Sequence, residues 1–207
     1  MTGSLTRAAG QMIIGGFPGA ATAPPDYIRE ELASGALSGV ILFRRNVRDV
    51  EQVAQLNEAI YASVEDPSLP VPFIAVDQEG GRVVRLRDPL SPIGPMRAVG
   101  ARGADAARRV GEILGRELGT LGFGVDFAPV VDVDTNPMNP VIGDRAFSDD
   151  PAVVAACGVA LADALMNAGV IPCAKHFPGH GDTELDSHVD LPTLHHNRAR
   201  LDAVELA

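Results

Sequence analysis

The sequence predicts an α/β fold, a parallel sheet covered by helices. Three observations carry that expectation. Short apolar runs recur without polar alternation, as strands buried on both faces require. Stretches with helical spacing of apolar residues lie between them. Polar and charged residues gather where the apolar runs end.

Taken in order, residues 11–16 read as the first strand and 39–43 (Gly-Val-Ile-Leu-Phe) as the second, followed by Arg44, Arg45 and Asn46. Asp49 with Gln52 resembles a capping box, and Val53, Leu56, Ile60 and Val64 continue at helical spacing. Residues 73–77 (Phe-Ile-Ala-Val-Asp) form the third candidate strand, with Gln78 and Glu79 after it. Val110, Ile113, Leu114, Leu118 and Leu121 give the next apolar stripe. Residues 127–132 read as the fourth strand, with Asp132 and Asp134 at its end. Asp150-Pro151 is an N-cap followed by proline at the first helical position. Val154, Leu161 and Leu165 follow, and Gly169 suits the left-handed C-terminal position. Residues 170–177 are the fifth strand, ending on Lys175 and His176. Leu201, Val204 and Leu206 begin another amphipathic helix.

Chemistry sits at the carboxyl ends of strands in (β/α)8 barrels. It sits there in open doubly wound sheets as well, so the pattern alone leaves both open. Gly15-Gly16-Phe17-Pro18-Gly19 lacks both the phosphate-loop lysine and dinucleotide-binding spacing.

With 207 residues, of which 46% are hydrophobic, one domain over 1–207 is expected. A net charge of −10 argues against a nucleic-acid partner. The first seven residues lack the pattern of a signal peptide. No run reaches the roughly 18 apolar residues of a membrane span. The expected location is the cytoplasm. Cys157 and Cys173 are expected as buried thiols rather than as a disulfide.

All five histidines fall between His176 and His196, three of them within residues 175–188 (Lys-His-Phe-Pro-Gly-His-Gly-Asp-Thr-Glu-Leu-Asp-Ser-His). Histidine serves readily as acid, base or ligand near neutral pH. Lys175 and His176 end a buried strand, where they need polar partners such as substrate hydroxyls. In a tight loop, Asp186 orients His188 and favours its charged form, as an acid/base catalyst requires. Asp77 at its strand end suits sugar hydroxyls, with Arg85 beyond. Glu79 fits a second catalytic carboxylate or a salt-bridge partner of Arg82, and a structural role is favoured for both. Arg145, in the irregular loop 139–148, is a planar multi-donor clamp. His195 and His196 read as an ordinary approach to a helix. His176, His180, Asp182, Asp186 and His188 are zinc-compatible types, but their spacing matches no standard template. No metal and no cofactor are expected.

Residues 175–188 followed by Leu191-Pro192 resemble the signature of family 3 glycoside hydrolases, in their bacterial β-N-acetylhexosaminidase branch. Residues 39–46, 73–85, 126–134 and 139–150 agree with it in order and spacing, so the resemblance runs from about Gly10 to Pro192. It implies a (β/α)8 TIM barrel, of which about the first five βα units are present here. It also implies a retaining, two-step hydrolysis of terminal β-linked N-acetylglucosamine from cell-wall glycosides or muropeptides. By motif position, His188 is the general acid/base and Asp186 its partner. Asp77, Arg85, Arg145, Lys175 and His176 bind the sugar in the −1 subsite. A histidine acid/base departs from the usual carboxylate pair.

In the family the nucleophile is an Asp on a loop late in the barrel. Only 19 residues follow His188, so the expectation is a truncated barrel whose nucleophile lies beyond residue 207, inactive by itself. Two other classes stay open at this point: a non-catalytic sugar-binding half-barrel, and a metal-dependent hydrolase built on the histidine cluster.

Overall fold

The computed structural model describes residues 2–186, 189 and 191–207. Five parallel strands form one sheet: β1 (Ile14–Gly15), β2 (Gly39–Leu42), β3 (Phe73–Val76), β4 (Val125–Asp126) and β5 (Ile171–Pro172). Their spatial order is their sequence order, β1-β2-β3-β4-β5. A doubly wound sheet reverses strand order at a switch point; this one does not. The winding is that of a (β/α)8 barrel carried through five strands.

The helices are α1 (Thr2–Gly10), α2 (Asp26–Ser34), α3 (Val50–Tyr61), α4 (Met96–Gly100), α5 (Ala104–Thr120), α6 (Pro151–Asn167) and α7 (Arg198–Ala203). Two further 3-10 turns span Arg44–Asn46 and Gly143–Arg145. Strand side chains alternate faces. Val40, Leu42, Ile74 and Val76 point outward into one core with Leu32 of α2, Leu56 and Ile60 of α3, Leu114 and Leu118 of α5, and Leu161 and Leu165 of α6. Phe73 and Ile171 alternate to the other face and are 39% and 51% exposed. Among the described residues, β1 and β5 are the two edges of the sheet, and the face that would line a barrel interior is exposed at Phe73 and Ile171 but buried at Ala75 and Val125.

The helix signals hold in detail. The Asp49 carboxylate accepts from the Gln52 N–H at 2.7 Å and caps α3. Gln52 reaches back to the N–H of Arg48, one residue earlier than a capping box predicts. Asp150 caps α6 through the Ala152 N–H with Pro151 in the first turn, and Gly169 has φ +83°.

Strand limits differ from expectation where backbone donors are spent elsewhere. Residues 11–13 turn off the end of α1, their N–H groups bonded to Arg7, Ala9 and Gly10, so β1 begins only at Ile14. The expected fourth strand, 127–132, is displaced to Val125–Asp126. Pro129 has no N–H to give, and beyond it the chain pairs irregularly with 173–175, through Val131 N–H to Lys175 O and Lys175 N–H to Pro129 O. Pro172 likewise shortens β5. Cys173 is exposed, not buried as expected, because it lies just past an edge strand with no neighbour on its far side. Cys157 is buried, and both thiols are free.

The tightest helix pair is α5 on α6. A Cβ on Gly111 would stand 2.6 Å from the Leu161 carbonyl oxygen and 2.7 Å from Ala164 Cβ, whereas one on Gly119 would meet nothing nearer than 3.6 Å. Gly111→Ala is expected to cost about 1–3 kcal/mol by overpacking. Gly119→Ala should be neutral or stabilising by up to about 1 kcal/mol through helix propensity. Chemical denaturation of the two variants checks both signs.

Candidate active site

The site grows from the ends of β3, β4 and β5. Asp77 follows β3 on the same face as Phe73 and Ala75, and Lys175 follows β5 on the same face as Ile171 and Cys173. Across the sheet, the Lys175 ammonium reaches Asp77 Oδ1 at 2.9 Å and Glu79 Oε1 at 2.6 Å.

The loop after β3 is shaped by Gln78. Its side-chain oxygen accepts from the N–H groups of Arg85 and Leu86, and its amide donates to the Leu86 carbonyl. That fold returns the chain so that Arg85 Nη2 meets Asp77 Oδ2 at 3.1 Å. Gly80 and Gly81, at φ +102° and +56°, supply the left-handed backbone this reversal needs.

Arg145 arrives on the 3-10 turn Gly143–Arg145. Asn139 organises that loop: its carbonyl accepts from Val141 and Ile142 N–H, and its amide donates to the His180 carbonyl. Arg145 then makes a bidentate pair with Glu79, at 2.9 Å from both Nε and Nη2. Its Nη2 also lies 3.4 Å from His176 Nε2. The other ring nitrogen, Nδ1, is 2.6 Å from Asp132 Oδ2. Asp132 Oδ1 accepts the backbone N–H groups of His176 and His180. The buried Asp132 thereby fixes the ring of His176 and the start of the following loop. That loop lies so close to the segment after β4 that a Cβ on Gly181 would stand 1.8 Å from the Val133 carbonyl oxygen.

The charges respond to this packing. Burial raises the Asp77 carboxyl, but Lys175 and then Arg85 outweigh it and hold Asp77 below the usual carboxylate range. Burial opposes the charge of Arg145, yet Glu79 keeps that guanidinium more firmly protonated than usual. Asp126 behaves oppositely. Burial, with Asp77 and Glu79 adding repulsion, drives its carboxyl well above the ordinary range against the Gln78 N–H and Lys175. Its Oδ2 has no hydrogen-bond partner among the described residues.

Of the residues expected from the sequence, Asp77, Arg85, Arg145, Lys175 and His176 form one contiguous network. Asp186 is half-buried at the end of the adjoining loop. His188 lies outside the described residues. Glu79, expected in a structural role with Arg82, pairs instead with Arg145 and Lys175 inside the network; Arg82 bonds Val141 O, Ile142 O and Asp144. Asp132 also joins the site, and its position at the end of an apolar run was the signal available for it. His195 is exposed. His196 is not a bare approach to α7, because its Nε2 meets Asp182 Oδ2 at 2.7 Å. Among the described residues no group of three or more His, Cys, Asp or Glu side chains is arranged to hold a metal ion. No helix among them is long and apolar enough to cross a membrane.

The profile of the Glycosyl hydrolase family 3 N terminal domain matches residues 5–207. Beta-hexosaminidase A of Pseudoalteromonas piscicida is 41% identical over 191 residues, covering 89% of this chain and 32% of that protein. Beta-hexosaminidase of Thiobacillus denitrificans is 45% identical over 174 residues, covering 81% and 47%. The chain thus spans between about a third and about half of these relatives. Among solved structures, a glycoside hydrolase family 3 beta-N-acetylglucosaminidase from Paenibacillus sp. FPU-7 superposes with TM-score 0.91 at 39% identity, over 98% of this chain and 38% of that one. NagZ from Neisseria gonorrhoeae, in complex with N-trifluoroacetyl-D-glucosamine, gives TM-score 0.85 at 35% identity, over 94% and 58%.

Two outcomes follow for pH. A carboxyl held low contributes stability above the ordinary carboxylate pKa and loses it as pH falls through the folded value. Asp77→Asn should therefore cost about 1–3 kcal/mol near neutral pH, with the difference from wild type shrinking below about pH 4. For Asp126 the sign reverses: its contribution is lost as pH rises through the raised value. Asp126→Asn, which keeps the acceptor for the Gln78 N–H, should gain on wild type as pH rises. Thermal melts of both variants across the pH range decide each case.

Proposed function

We propose, from the premise that this chain belongs to glycoside hydrolase family 3, that it forms the substrate-binding part and the acid/base loop of a retaining β-N-acetylhexosaminidase. The observation that carries this reading is the convergence of Asp77, Arg85, Arg145, Lys175 and His176 at the carboxyl ends of β3 to β5. That is where barrel enzymes place their chemistry, and charged groups locked in mutual hydrogen bonds suit the hydroxyls of a neutral sugar. The proposed substrate is a terminal β-linked N-acetylglucosamine of a cell-wall glycoside or muropeptide, within peptidoglycan recycling in the cytoplasm.

In this proposal Asp77 and Arg85 hold sugar hydroxyls from the β3 side, Arg145 from the loop after β4, and Lys175 and His176 from the end of β5. His188, charged through Asp186, donates a proton to the leaving glycosidic oxygen. Once neutral, it takes a proton from the attacking water. The nucleophile is a further carboxylate. Among the described residues Asp77 and Glu79 are both tied to cations, and the Asp132 side chain is fully buried against His176. Lys175 and Arg85 hold the Asp77 carboxyl below the usual range, which makes it a weaker base, and all three carboxylates are already engaged. The same observation favours a second reading for the chain alone, as a GlcNAc-binding half-barrel without turnover. Calorimetric titration with GlcNAc, beside an assay on an aryl GlcNAc glycoside, separates the two: binding without release of the phenol marks the binding half-barrel.

In a hydrolytically active full-length form, His188→Ala should lower kcat/KM on natural glycosides by roughly 100- to 10,000-fold. A substrate whose leaving group needs no proton should be largely spared. Equal losses on both would remove His188 as the acid.

A further inference from the structure

We propose that the segment from His196 to Glu205 braces the loop carrying Asp186 and His188, with His196 and Arg200 as positioning residues for the acid/base step. This rests on the assignment of His188 above. Asp182, four residues before Asp186, is gripped on both oxygens. Thr135 donates to Oδ1 at 2.7 Å, and His196 Nε2 meets Oδ2 at 2.7 Å. Arg200 stands behind this contact, with Nη2 3.8 Å from Asp182 Oδ2, 3.2 Å from Thr135 Oγ1 and 3.1 Å from Glu205 Oε1.

Glu205 closes the other end. Its side chain is 5% exposed and packs on Gly179, where a Cβ would stand 2.8 Å from Glu205 Cγ at φ +142°. One short stretch around α7 thus holds the loop at Gly179 and again at Asp182. Asn197 fixes that stretch by capping α7 through the Arg200 N–H. Leu194 and Leu201 face the loop across a cavity of about 380 Å3, lined also by His176, Pro178 and His180. The brace therefore adjoins the sugar-binding network.

The arrangement has a chemical purpose. A proton donor must be held within hydrogen-bond reach of the glycosidic oxygen, and small misplacements cost large factors in rate. The loop is rich in glycine and has no strand or helix of its own between residues 176 and 186, so its position must come from contacts made by neighbours.

The test is amide hydrogen exchange over residues 179–186 in wild type, His196→Phe and His196→Gln, with amides of α5 and α6 as internal reference. His196→Phe should speed exchange in the loop about tenfold, the scale of one charge-assisted hydrogen bond, and leave the reference amides unchanged. His196→Gln, whose amide still reaches Asp182, should restore the loop to within about twofold of wild type. Unchanged loop exchange in His196→Phe overturns the proposal, as does failure of His196→Gln to rescue it.

Should His196→Phe not fold, wild type still decides the matter by NMR. A slowly exchanging His196 Nε2 proton that disappears in Asp182→Asn supports the brace, and its absence from wild type overturns it. In an active full-length form, His196→Phe should lower kcat on natural glycosides about tenfold with KM within about twofold. Exchange that responds as expected, beside a full-length form that lacks glycosidase activity, would support the brace and defeat the functional assignment, so the two fail separately.

Discussion

The Lys175 ammonium, shared between Asp77 and Glu79, is the contact on which the rest of the site depends. It joins the end of β5 to the end of β3 across the intervening β4. Three charged groups at such low exposure, with side chains only 2–15% accessible, would each be costly alone. They persist because each satisfies the others and because Arg85 and Arg145 complete the set. Removing one member leaves a buried charge without its partner, so the network behaves as a unit rather than as a list of pairs. Burial is the main cause of the raised Asp126 carboxyl, and the neighbouring charges of Asp77 and Glu79 add to it.

The fold class was legible because parallel strands buried by helices must be continuously apolar. That pattern is plain at 39–43 and 73–77, and the caps at Asp49 and Asp150 are local chemistry visible in a few residues. The limits of β1, β4 and β5 were not legible. They depend on which backbone donors are already committed, at the end of α1 and around Pro129 and Pro172, and periodicity does not count donors. The choice between barrel and doubly wound sheet rests on strand order, a long-range property with no local mark. It came from the family resemblance, and the order β1 to β5 then agreed with it.

The site divides the same way. Residues that end apolar runs, Asp77, Lys175 and His176, announce themselves by position. Arg85 and Arg145 are placed by loops whose shape is set by Gln78 and Asn139, so residue type alone marked them only weakly and the resemblance gave them their role. Glu79 was assigned the neighbour in sequence, Arg82, because a three-residue separation invites a local pair. The structure instead turns Glu79 across to Arg145, 66 residues on, and turns Arg82 toward the carbonyls of Val141 and Ile142. His196 was missed because a histidine before a helix has no sequence pattern that reveals a partner 14 residues back in a loop.

A division of labour between rigid and braced elements follows from these energetics. In the network, Asp77 and Glu79 are set against Arg85, Arg145 and Lys175, and Asp132 against His176. In the proposed role these paired groups offer hydrogen bonds to a neutral sugar from fixed positions, but pairing with a cation also weakens a carboxylate as a base. Asp77 shows this directly, since its partners hold its carboxyl below the usual range. Groups that must gain and lose protons during turnover have to stand outside such a network. In the proposed mechanism the acid/base pair belongs to the loop after β5, whose described residues 176–186 have no strand or helix of their own. It then loses the positional precision that strands supply. Contacts from His196, Arg200 and Glu205 onto Asp182 and Gly179 are where the structure recovers it.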